Sequence, residues 1–170
     1  IANASPAGDT IPVLNVYDAT LFLGPKSEGK FKKVKVNEAM QNPGETILKN
    51  GEYIYKIFIP FPEADSQFRY FRKVGQRYAL AISKISLAVL GWKENDHISE
   101  IRVCAGSVAP QVKRAVLTED FLRGKILSKE NINEASEILK KEIKPITDIR
   151  STANYRREIC GSLLKEALLR

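Results

Sequence analysis

The chain has 170 residues, 44% of them apolar and 28% charged, with 10 Gly and 8 Pro. That length suits one full domain or two small ones with a core that needs neither disulfides nor metals, and the composition excludes disordered, collagen-like and coiled-coil classes. Lys plus Arg outnumber Asp plus Glu by 27 to 20, and the resulting charge of +7 favours acidic partners (nucleic acid, anionic lipid, phosphate-bearing ligands or an acidic subunit) without choosing among them. No stretch reaches the roughly 18 uncharged apolar residues of a spanning helix, and Ile1–Asp9 has neither the basic nor the apolar block of a signal peptide. A soluble, cytoplasmic protein without membrane contact is expected. The chain opens on Ile1 rather than Met, so a fragment or processed piece is also expected.

Short strands are expected at Ile11–Leu14, at Ala19–Leu23 and over the alternating Lys30–Val36, separated by the turn formers Asn15, Asp18, Gly24 and Pro25. Gly24–Lys30 matches the first seven positions of a phosphate-binding P-loop, but Phe31 stands where Ser or Thr would hold magnesium. A strand-period alternation follows instead of a helix, so a hairpin turn is expected. The basic run Lys26, Lys30, Lys32, Lys33 and Lys35 then reads as the solvated face of a half-buried strand. Asn42–Glu45 is a turn, and Tyr53–Pro60 is a β-prone run ended by a proline that cannot donate to a ladder. Phe61–Ser66 reads as a connection, which divides the chain into units 1–62 and 63–170.

The second unit opens with Phe68–Val74 and then Tyr78–Trp92, whose latter half reads as a buried strand because Ile85, Leu87, Val89 and Leu90 mix period 2 with continuous apolar character. Ile98–Val103 alternates cleanly, pairs with it across a turn at Lys93–His97, and leads to a bulge or close approach at Ala105–Gly106. Helical signals follow. Thr118–Asp120 predicts an N-cap and acidic first turn for a short helix closed by Gly124. Asn131 with Glu134 predicts a capping-box-like start, with Ile132, Ala135, Ile138 and Leu139 at helical spacing. A last helix runs from about Ser151 to Leu169 on a stripe of Ile159, Cys160, Leu163, Leu164, Ala167 and Leu168. Strands first and helices after predict an α+β fold.

Cys104 and Cys160 are the only cysteines and His97 the only histidine. They offer no zinc or iron–sulfur spacing and no self-contained Ser-His-Asp site. Both cysteines are expected in the core and His97 in a turn. The Lys26–Lys35 face leaves open a non-catalytic basic module that binds nucleic acid or an acidic protein, although no aromatic-glycine RNA motif or basic recognition helix supports it.

Four strings, in order and over essentially the whole chain, carry a resemblance: Ile1–Asp9; Arg72–Arg77 followed by Ala79–Ser83; Ile101–Pro110; and Asp148–Arg157. Together they resemble the flavin-binding medium subunit of the molybdenum hydroxylases, the family of xanthine dehydrogenase and the flavoprotein of aerobic carbon monoxide dehydrogenase. The resemblance implies the second half of a vanillyl-alcohol-oxidase-type FAD-binding domain over 1–62, followed over 63–170 by a C-terminal domain of a small antiparallel sheet packed with helices. In that family a Gly-Gly-Asn turn and a glycine-containing pyrophosphate loop precede the first string. The resemblance therefore also implies a chain or segment that supplies the N-terminal half of the flavin domain.

A flavin needs apolar walls for its rings, hydroxyl partners along its ribityl chain and polar groups at its carbonyls. By resemblance, Asp9 takes the ribityl or ribose hydroxyls, Asn3 and Ser5 line the same loop near the phosphates, Ile54 is an apolar flavin contact, and Lys73 lies at the isoalloxazine carbonyl edge. Asn3, Ser5 and Asp9 also read as plain turn formers, Lys73 as a solvated strand charge, and Asp148–Arg157 as a salt-bridged helix start. The family's division of labour implies a molybdopterin-binding large subunit, an iron–sulfur small subunit, and transfer from FAD to NAD or another acceptor. A docking module without flavin is the alternative, and no nucleic-acid partner is expected.

Overall fold

The computed structural model describes residues 1–24, 31–62, 67–77 and 79–170, so the turn expected over Pro25–Lys30, with Lys26 and Lys30, lies outside the described residues. The first unit comprises helix α1 (Thr10–Val16), strands β1 (Thr20–Gly24) and β2 (Lys32–Lys35), helix α2 (Val36–Ala39), strands β3 (Met40–Asn42) and β4 (Glu45–Thr46), and strand β5 (Tyr53–Phe58). The segment Ile11–Leu14, expected as a strand, is helical. Pro12 sits in the first turn, where its missing N–H costs nothing, and Ile11, Leu14 and Asn15 form one buried face at spacings of three and four. Antiparallel pairing gives the sheet order β2-β1-β5. Leu21, Leu23 and Val34 point into the core, while Lys32, Lys33 and Lys35 stay exposed as expected.

The second unit has strands β6 (Gln67–Val74), β7 (Ile85–Glu94), β8 (His97–Gly106) and β9 (Lys113–Arg114) in one antiparallel sheet in that order, then helices α3 (Val116–Leu122), α4 (Lys129–Glu142) and α5 (Ala153–Leu168). Asn95 and Asp96, both left-handed at φ 49° and 66°, join β7 to β8 in a two-residue turn of the kind that matches strand twist. His97 closes that turn through Nδ1, 2.8 Å from the Asn95 carbonyl. Both cysteines are buried, and burial pushes the Cys160 thiol up to about 12.

The inner strands of the central sheet, β7 and the later half of β8, are buried on both faces. On one, Ile85, Leu87, Val89, Ile101, Val103 and Ala105 pack against the apolar stripes of α4 and α5. On the other, Ala88, Leu90 and Cys104 join the core of the first unit. This explains the unbroken apolar run in β7, because a strand with two covered faces has no reason to alternate. At Gly106 a Cβ would come within 2.5 Å of Ser86 Oγ and 3.2 Å of Pro12 Cγ, so the expected irregularity at Ala105–Gly106 is a close approach of the first unit to the sheet. The ladder shifts register elsewhere, between Trp92 and Lys93.

Two helix starts differ from expectation. Helix α3 begins before Thr118, which lies inside it, and its open N–H groups are taken by the distant Glu142 carboxylate, which accepts from the Leu117 and Thr118 amides at 3.0 Å and from Thr118 Oγ1 at 2.8 Å. Glu119, expected to serve the helix terminus, is 3% exposed and faces the sheet edge, accepting from Val103 N at 2.8 Å and from Arg114 Nη2 at 2.7 Å. Helix α4 starts at Lys129, two residues ahead of Asn131, and is capped by Ser128, whose Oγ accepts from Asn131 N at 3.2 Å. Helix α5 is capped in the same way by Thr152, and Gly124, at φ 77°, turns the chain after α3.

Charge pairs tie the units together: Asp18 accepts from Arg102 at 2.7 Å and from Arg114 at 3.2 Å. Glu119→Ala leaves the Arg114 cation and the Val103 amide without their buried acceptor. Urea denaturation should show a loss of about 3–5 kcal/mol, whereas Leu117→Ala, on the exposed side of α3, should change stability by less than about 0.5 kcal/mol.

Candidate functional site

Residues 3–9 form a loop of short turns. The Ala4 amide donates to the Ile1 carbonyl at 2.8 Å and the Gly8 amide to the Ser5 carbonyl at 3.0 Å. Two long-range bonds fix it on the rest of the chain: Gly44 N donates to Ala4 O at 3.0 Å, and Ser107 N donates to Pro6 O at 2.9 Å. The loop forms one wall of a cleft of about 760 Å³. Ala81, Ile82 and Ser83 form a second wall, Ser107, Ala109 and Pro110 a third, and Ile146, Asp148, Arg150 and Arg156 a fourth. All four strings singled out in the sequence therefore meet at one place.

Asp9 does not act as a plain cap. It precedes α1 at the N-cap position yet makes no side-chain capping bond. Its carboxylate turns away from the helix instead: Oδ2 accepts from Lys73 Nζ at 2.5 Å and Oδ1 from Ser83 Oγ at 2.5 Å. Lys73 also donates to the Ala81 carbonyl at 3.0 Å. An ammonium has three donors, so one remains for a ligand. Burial acts to raise the Asp9 pKa, but the hydrogen bonds from Lys73 and Ser83 and the Lys73 charge outweigh it and hold the carboxyl below its ordinary 3.8.

Asn3 and Ser5 line the cleft on exposed backbone, and Ser5 Oγ also accepts from Ala7 N at 3.3 Å, so for Ser5 the local turn role and the lining role coexist. Ile54 is not brought into the cleft. It lies on β5 opposite Leu23, half-buried against the core of the first unit. The cationic strand face is partly spent within the fold: Lys33 and Lys56 lie over the Phe22 ring, and Lys35 donates to the Asp18 carbonyl.

The fourth wall contains Arg156, which the sequence placed only in a salt-bridged helix start. Arg156, 4% exposed, donates from Nη2 to Asp148 Oδ1 at 2.7 Å and from Nη1 to the Ser107 carbonyl at 2.8 Å. The expected salt-bridged helix start is present, but it also borders the cleft. Burial acts to raise the Asp148 pKa, yet the Arg150 and Ser151 amides and Arg156 pull it below its ordinary value. The cleft thus offers apolar surface at Ile82 and Ile146 and polar groups at Asn3 and Ser5, while the Lys73 ammonium does not line it but is bonded to two residues that do, Asp9 and Ala81. These residues fit the ring and proximal chain of a flavin.

Residues 1–62 match the model for the FAD binding domain in molybdopterin dehydrogenase, and residues 69–170 match the CO dehydrogenase flavoprotein C-terminal domain. The chain belongs to this CO dehydrogenase flavoprotein family. It is 29% identical over 170 residues to the glyceraldehyde dehydrogenase medium chain of Sulfolobus acidocaldarius, covering 98% of this chain and 58% of that one. It is 26% identical over 171 residues to the carbon monoxide dehydrogenase medium chain of Hydrogenophaga pseudoflava, covering 99% and 57%. A solved structure of carbon monoxide dehydrogenase from that organism, lacking the Mo-pyranopterin moiety of its cofactor, superposes with a TM-score of 0.90 at 24% identity over 99% of this chain and 57% of that chain. The chain thus spans a little over half the length of these relatives. No described helix is long and apolar enough to cross a membrane.

Because the folded Asp9 pKa lies below its unfolded value, the Lys73–Asp9 pair stabilises the fold above about pH 4 and loses that contribution as pH falls further. Asp9→Asn should therefore be less stable than the parent at about pH 7, with the gap closing towards about pH 2.5 in urea titrations at both pH values.

Proposed function

We propose that the chain is the FAD-binding electron-transfer subunit, or part of one, of a multi-subunit molybdenum hydroxylase, with residues 1–62 belonging to the flavin domain and 63–170 to the C-terminal domain. The observation that carries this reading is the Asp9–Lys73–Ser83 cluster at the edge of the cleft: a carboxylate freed from its helix cap and committed to a cation drawn from the other unit. Asn3 and Ser5 would hold polar groups of the flavin's chain, and Lys73 would use its remaining donor at the carbonyl edge of the ring. Asp9 would keep that cation in place and compensate its charge. Ile54 would reach the flavin only from the β5 side, as an apolar contact outside the cleft.

When bound, the flavin would supply the two-electron chemistry that no side chain of this protein provides. The chain's own residues would bind it, orient it and fix the charge beside it. The partners in this reading are a molybdopterin-binding large subunit, an iron–sulfur small subunit and the polypeptide that completes the flavin domain. NAD or another acceptor would take the electrons, in a cytoplasmic complex of the xanthine dehydrogenase type. The family match and the relatives' description as medium chains support this assignment.

The holoprotein purified from its source should be yellow and release about one equivalent of FAD on acid treatment. Lys73→Met should weaken FAD binding by about tenfold, the loss of one charge-assisted hydrogen bond. A colourless holoprotein that takes up no added FAD would contradict the assignment.

A further inference from the structure

Ser107 is a non-glycine residue held in the left-handed region at φ 62°. Such a conformation is strained and persists only where the surroundings over-determine it. Here every polar group of the residue is engaged: N donates to Pro6 O at 2.9 Å, Oγ donates to the Ser83 carbonyl at 3.1 Å, and O accepts from Arg156 Nη1 at 2.8 Å. Ser83, 1% exposed, in turn donates from Oγ to Asp9 Oδ1, and Asp9 holds Lys73. The bonds form one continuous strut from the head of α5, through the end of β8, to the lysine on β6.

The strut has work to do. The described residues between Val74 and Ile85 carry no strand or helix, and the Lys84 amide donates to Val74 O at 2.8 Å. Asp9 makes no capping bond to its own helix, so its carboxylate orientation is decided by Lys73 and Ser83. A carboxylate held by a flexible ammonium alone would keep several orientations. The Ser83 hydroxyl removes that freedom, and the Ser107 bond keeps the Ser83 backbone from shifting.

We infer that Ser83 is a positioning residue for the flavin site: its hydroxyl orients the Asp9 carboxylate, and through it the Lys73 ammonium, while Ser107 and Arg156 brace Ser83 from behind. The inference rests on the flavin reading above. It gives the Asp148–Arg157 string a task beyond capping α5, because Arg156 is the far anchor of the strut and Asp148 holds Arg156.

The test is the pH dependence of FAD affinity in the holoprotein, stripped of flavin and titrated with FAD. Asp9 is faced by Lys73, and the other charged groups lining the cleft are Asp148, Arg150 and Arg156, all unchanged in the variants. Removing the Ser83 hydroxyl deprives the ionised Asp9 of one donor, so Asp9 takes up a proton more readily. In Ser83→Ala the dissociation constant should rise about tenfold near neutral pH, and the acid limb of the affinity profile should move to higher pH. Ser107→Ala, which acts only through the Ser83 carbonyl, should move the limb in the same direction by less, and it provides the measurement if Ser83→Ala does not fold. An acid limb that stays in place in the folded variants overturns the inference while leaving the flavin reading intact. A parent protein that binds no FAD overturns both.

Discussion

The fold depends on a four-stranded sheet whose inner strands, β7 and β8, are covered on both faces. Ile85, Leu87 and Val89 face the helices, while Ala88 and Leu90, one residue out of phase, face the first unit. Burying both faces ties the two units together, since the core of the first unit is completed by Ala88, Leu90 and Cys104 of the sheet. The N-terminal loop therefore has to lie close against the sheet, and Gly106 gives it the room. Once the loop is there, Asp9 stands beside Lys73, and a carboxylate from the first unit meets a cation from the second.

This arrangement also accounts for the polarity of the cleft. The two charges at its edge compensate each other, and at 33% and 40% side-chain exposure their pair adds little to global stability, by analogy with surface ion pairs. Its importance is local: it fixes a donor. The more deeply buried pair, Arg114 with Glu119, lies at the edge of the sheet and ties β9, α3 and Asp18 together. One pair serves the scaffold and the other, in the proposed reading, serves the site.

Much of this was legible in the residues. Strands β6, β7 and β8 of the central sheet, the hairpin at Lys93–His97, the last helix with its apolar stripe and the α+β order follow from periodicity, because side chains at those positions answer mainly to their own strand or helix, whereas the two-residue β9 has no period to read. Ile11–Leu14 was misread because a four-residue apolar run ahead of a turn former has no period of its own, and only the buried face formed with Asn15 reveals a helix. The starts of α3 and α4 were misplaced for a different reason. Thr118 and Asn131 are good capping types, but Glu142, 24 residues away from Thr118, and Ser128 took the role. At the site, Asn3, Ser5, Asp9 and Lys73 came from resemblance, whereas composition alone allowed plain turns and solvated charges. Ser83, Ser107 and Arg156 lie inside the quoted strings, but nothing local singles them out, since the bonds between them exist only once three distant segments meet.

The most direct measurement is a crystal structure of the intact holoprotein at a resolution that shows the flavin ring. The account predicts ring density in the cleft bounded by residues 3–9, 81–83 and 107–110, with Lys73 Nζ within hydrogen-bonding distance of a ring carbonyl and Asp9 still bound to both Lys73 and Ser83. A flavin lying elsewhere on the chain, with the Asp9–Lys73 pair intact and out of reach of the ring, would contradict it.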